Sequence, residues 1–122
     1  MNYEFSTPSP EQASAILSMV PYRERLKAGR MRLPSGFMAT PVRSLHEVYI
    51  NLMMDEKSMP AIHLPSLSVW VDEVVGDREL ARVIDACASD DGNSYVERCR
   101  KLHKIIGMRL AQLREIADAS DF

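Results

Sequence analysis

Between Asp85 and Lys104 the sequence reads DACASDDGNSYVERCRKLHK. Cys87, Cys99 and His103 stand there as C-x11-C-x3-H, which raises zinc. Cys99 and His103 are one helical turn apart on one face and could reach one ion. A structural zinc site needs four closed ligands, usually built on a close cysteine pair. This stretch has no C-x2-C, and an aspartate is the nearest candidate for a fourth ligand. The two cysteines read better as small buried hydrophobes in the apolar stripes of neighbouring helices. A disulfide between them is disfavoured, because a turn centred near Asp91 leaves them about one helical turn out of register. Calcium fails on spacing. With Gly92 at the sixth position of an EF-hand loop, Cys87 would stand first and Arg98 twelfth, where the loop needs Asp and Glu. No metal and no cofactor is expected.

The basic residues raise nucleic acid. Arg98, Arg100, Lys101, Lys104, Arg109 and Arg114 supply six positive charges before Glu115. Arg23, Arg25, Lys27, Arg30 and Arg32 make a second cluster. A helix, a Gly-containing turn and a basic helix resemble a helix-turn-helix in outline. Against this, the 89–93 turn is longer than usual and the second helix is too long for a standard recognition helix. Asp72 to Asp91 carries seven acids against Arg78 and Arg82, a net −5. That segment could neutralise the basic helix within the fold or between two copies, which would lower the potential left for nucleic acid.

Catalysis finds little support. His46, His63 and His103 are scattered, and His46-Glu47 lacks the second histidine of HExxH. No G-x-S-x-G, phosphate loop or dinucleotide fingerprint occurs. His46 reads as a partly buried core histidine, and the chain is not expected to be an enzyme. Methionine is the compositional excess, at eight residues. Most are expected in the core. Met53-Met54 and the loop Met59-Pro60 could instead line a groove for a partner segment, since methionine adapts to varied surfaces.

These side chains must be held by elements, and caps and periodicity suggest which. Ser9-Pro10-Glu11-Gln12 is a capping-box start, and Ala13, Ile16, Leu17 and Val20 follow at helical spacing until Pro21. YRERLKA reads as a short helix stopping at Gly29, and residues 30–40 as a connection with turn residues Pro34, Ser35 and Gly36. Thr40-Pro41 opens a helix carried by Val42, Leu45, Tyr49 and Leu52 to about Asp55. A loop follows to His63. LPSLSVWVDEVVG fits a helix by its apolar face and a strand by its valines; with no partner strand in view it is read as helix. Gly76 stops it and Asp77 caps the next helix, which ends near Ala88. Ser94 and Glu97 open the last helix. Its stripe runs Tyr95, Cys99, Leu102, Ile106, Leu110, Leu113, Ala117, too irregular for a strict heptad. At about 25 residues it reaches roughly 37 Å, so it spans the body or protrudes. Gly107 inside it could admit another backbone.

The reading is one all-α domain over residues 1–122, an irregular bundle of five to six helices with a long C-terminal helix and a loose segment at 1–8. A chain of 122 residues with 46% hydrophobic and 26% charged content is ordinary for one globular domain, and a net charge of −2 recruits neither nucleic acid nor membrane as a whole. No apolar run nears a membrane span, the start is not a signal peptide, and two cysteines suit a reducing compartment, so the expected location is cytoplasmic. The expected function is a small helical protein–protein interaction module: an adaptor, chaperone-like or regulatory protein. It would self-associate through Leu102, Ile106, Leu110 and Leu113 of the last helix. The alternative is a nucleic-acid-binding regulator using Arg98, Arg100, Lys101, Lys104, Arg109 and Arg114.

Overall fold

Ser9 and Gln12 form the helix start that their types dictate: the Gln12 amide donates to Ser9 Oγ at 3.2 Å and the Ser9 amide to Gln12 Oε1 at 3.1 Å. In the computed structural model, which describes residues 5–32 and 34–119, this helix is α1, Pro10–Leu17. It stops at Ser18, before Pro21. Then the fold departs from the all-α expectation. A single turn, Tyr22–Glu24, replaces the short helix. Three strands follow: β1 (Gly29–Arg32), β2 (Gly36–Ala39) and, after α2 (Leu45–Asn51), β3 (Ser58–Ala61). They form an antiparallel sheet in the order β2-β1-β3. The protein is a mixed helix-and-sheet fold. β1 and β2 make a hairpin, with Pro34 and Ser35 in turn conformation, where a connection over 30–40 is expected, and the loop to His63 contains an edge strand.

Pro60 explains how a proline sits in that strand. The Thr40 amide donates to the Ala28 carbonyl at 2.9 Å, and Leu26 and Val42 exchange both bonds. Alternation along the antiparallel ladder turns the backbone groups of Arg30 toward β2 and away from β3. Pro60, opposite Arg30, therefore needs no N–H on that side. Val42 belongs to this ladder, so α2 starts later than Thr40-Pro41 suggested. Ser44 caps it by accepting from the Glu47 amide at 3.1 Å, and it ends at Asn51 rather than Asp55.

The remaining helices follow their caps. α3 (Leu64–Trp70) runs on through a wider π-helical turn, Val71–Val75, so LPSLSVWVDEVVG is helical. Gly76 closes it at φ 88°, the left-handed conformation that suits glycine. Asp77 caps α4 (Arg78–Ala88), and Ser94 accepts from the Glu97 amide at the start of α5 (Tyr95–Ala119). α5 spans the body, packing on α1, α2 and α4. One core cluster runs from Ala13 to Leu113 and includes both cysteines. Residues 5–8 are held rather than loose: Ser6 donates from its amide and hydroxyl to Glu79, and Gln112 donates to the Phe5 carbonyl. Residues 1–4 of that segment lie outside the described residues. Among the described residues, no helix is long and apolar enough to cross a membrane.

Candidate interaction surface

The apolar stripe of α5 is consumed by the fold. Leu102, Ile106 and Leu113 are fully buried and Leu110 is 2% exposed. A second copy cannot reach them in the folded chain, so they are core and not an oligomer contact. Gly107 admits a side chain rather than a backbone. A Cβ there would stand 2.8 Å from Cε2 of Tyr49, whose ring stacks on His103 at 4.2 Å and 10°.

The basic set is divided by the fold. Arg109 is 2% exposed: its Nε donates to Asp77 at 2.7 Å, its Nη2 to the same carboxylate at 3.2 Å, and its Nη1 to the Ser6 carbonyl and Gln112. It is no surface contact. Arg98 donates to the Ala88 carbonyl at the end of α4 and pairs with Asp91 at 3.8 Å. Arg114 bonds Nδ1 of His46 at 2.7 Å, and His46 is exposed rather than core. Arg100 and Lys104 are exposed and Lys101 is half-buried. In the second cluster, Arg25 donates to the Tyr22 carbonyl and covers the Tyr22 ring, while Arg23, Lys27 and Arg32 are exposed.

The thiols are free and buried. Cys87 Sγ lies 3.8 Å from the Arg98 carbonyl, and burial pushes the pKa of both thiols up. Among the described residues no group of three or more His, Cys, Asp or Glu could hold a metal.

The methionines, which the sequence places mostly in the core, lie outside it. None of the seven described methionines is buried: Met19, Met31, Met38, Met53 and Met108 are exposed, Met54 and Met59 half-buried. Five of them, Met31, Met38, Met53, Met54 and Met59, lie in the sheet or just past the end of α2, the two parts joined by Arg30. That residue ties the sheet to the end of α2, donating from Nη1 to the Asn51 carbonyl at 2.6 Å and from Nη2 to the Met53 carbonyl at 2.7 Å. It also bonds Ser58 Oγ, which donates to Asp55 at 2.8 Å. The Ser58 hydroxyl, then the amides of Lys57 and Ser58, hold the Asp55 carboxyl below its usual pKa. This lattice ties β1 and β3 to the end of α2.

On the outer face of the sheet Phe37, Met31 and Met59 form one cross-strand row. The Phe37 ring is 62% exposed and lies over Gly29, where any Cβ would collide with it. Met38 faces the other way. Two open grooves flank Asp55. One, of about 520 Å³, is walled by Val42, Ile50, Asn51, Met53 and Met54. The other, of about 410 Å³, is walled by Met31, Pro34, Lys57 and Met59. Asn51 donates to Thr40 Oγ1 at 2.6 Å, while its Oδ1 accepts from none of the described residues.

Met53, Met54 and Met59, which the sequence marks as groove residues, line these grooves, whereas Pro60, marked with them, lines neither. Met31, Phe37 and Met38 carry no such mark, because the sequence reads as a connection where the hairpin stands. The signal was the short R-M-R and F-M-A runs on either side of P-S-G. Comparison with family models, with curated protein sequences and with solved structures found no match to this chain.

Proposed function

We propose that this chain is a protein–protein interaction module that binds its partner through the methionine-rich surface around the hairpin and the end of α2. The observation that carries this reading is the placement of the methionines. An excess of a flexible, polarizable apolar residue is kept off the core and concentrated on one region with two grooves. Exposed large apolar side chains gathered in this way mark contact sites. The reading is of a binding protein rather than an enzyme. The nucleic-acid reading loses support, because Arg109 is buried against Asp77 and Arg98 and Arg114 make contacts within the fold.

Photo-activatable methionine tests it. The expected result is a discrete cross-linked species whose links map to Met31, Met38, Met53, Met54 and Met59. Links absent, or spread as heavily over Met19 and Met108, would overturn the reading.

A further inference from the structure

The two edges of the sheet differ. The outer edge of β3 is closed. Pro60 has no N–H to offer there, and the Tyr95 hydroxyl lies 3.0 Å from the carbonyls of Pro60 and Ile62 and accepts from the Ile62 amide at 2.8 Å. Among the described residues, no strand pairs with the outer edge of β2. Thr40, Met38 and Gly36 turn their backbone groups to β1, by the same alternation that places Pro60. The N–H and C=O of Phe37 and Ala39 therefore point outward. Native edges are guarded by charge, proline or a covering element. β2 reads Gly-Phe-Met-Ala and has none of these within it.

We infer that β2 pairs antiparallel with β2 of a second copy of this chain. This rests on the interaction-module reading and names the partner. A two-fold axis at Met38 sets the register. Phe37 of one copy then stands opposite Ala39 of the other and exchanges both backbone bonds with it, and Ala39 opposite Phe37 does the same. Met38 faces its own counterpart in the pair that makes no backbone bonds. The register sets a large ring opposite a methyl on one face, twice, whereas a shift by one step would set either two Phe37 rings opposite each other or Phe37 opposite Pro41, which has no N–H to exchange. A copy also brings identical charges, so self-pairing needs an uncharged strand, and like charges directly opposite are destabilising. An isologous contact of this kind closes after two copies. Three strands from each copy become one six-stranded sheet, with Met31 and Met59 continuing the apolar row from each side.

Cysteine scanning of the full chain tests the register. In a pair without backbone bonds the Cα atoms lie about 4.5 Å apart, within the roughly 4.4–6.8 Å that a disulfide spans. Under mild oxidation Met38→Cys is expected to form a covalent dimer several-fold above Ala39→Cys, which is off the axis, and Met108→Cys, on α5. Sedimentation of the unaltered chain should show a dimer that grows with concentration, and Met38→Lys should abolish it with an unchanged circular dichroism spectrum. If Met38→Lys unfolds the chain, the cysteine comparison decides. Met38→Cys at the level of Met108→Cys, with a monomer at every concentration, overturns the inference. Photo-methionine links to a different protein would then leave the interaction-module reading standing, and their absence would remove both.

Discussion

Arg109 shows how little a count of basic residues says about a basic surface. It sits at the middle of α5 with both its own side chain and that of Asp77 at 3% exposure or less. Its planar fork matches the carboxylate in two bonds, as arginine does in buried pairs. Breaking such a pair strands a charge without water, which costs about 3–5 kcal/mol. Arg109→Met is therefore expected to lower the unfolding free energy by about that amount in urea titration. Adding Asp77→Asn should recover part of it, since asparagine keeps the cap that Asp77 gives the Leu80 amide. A loss below about 1 kcal/mol would show that Arg109 is not the buried partner described. Arg30 and Arg98 are likewise drawn into the fold: each donates to the carbonyl of the last residue of a helix, Asn51 of α2 and Ala88 of α4.

At the scale of elements, Gly107 supplies the sharper test. Alanine in a helix interior gains about 1 kcal/mol over glycine, while a methyl forced into a filled space costs about 1–3 kcal/mol. Here the Tyr49 ring fills the space. Gly107→Ala should destabilise the chain, and the same change in a Tyr49→Ala background should stabilise it. Equal effects in the two backgrounds would refute the packing. Elements of this kind were legible in the sequence, because caps and stripes act within a few residues. Ser9, Asp77, Ser94 and Gly76 stand where their types place them. The sheet was not legible. Each strand has four residues and no long alternation, and β1 is completed by Ser58–Ala61 after an intervening helix. Only tertiary pairing makes such strands. The interaction surface inherited that gap: Met53, Met54 and Met59 stood out by type, while Phe37 and Met38 gained meaning once the hairpin gave them a shared sheet.

For the whole molecule, alkaline pH is the informative axis. Burial raises the Tyr95 hydroxyl from its ordinary value of 10.0 to about 12, and it raises Cys87 and Cys99 from 9.0. The fold holds these protons more tightly than the unfolded chain does. Their contribution is complete below pH 9 and declines as pH climbs past 9 for the thiols and from 10 toward about 12 for Tyr95. Denaturant midpoints should fall across that window. Tyr95→Phe should start lower, by about 1–3 kcal/mol for the Ile62 amide it strands, and decline less steeply. A parallel decline would place the tyrosine outside the linkage. α5 has one further consequence, which concerns time rather than energy. It is synthesised after every helix it packs upon, and Arg109 reaches back 103 residues to the Ser6 carbonyl. A nascent chain ending before Leu113 lacks part of the wall that α1, α2 and α4 close against. The core therefore closes only once α5 is made, and the contacts of α1, α2 and α4 with it form late in the synthesis of this domain.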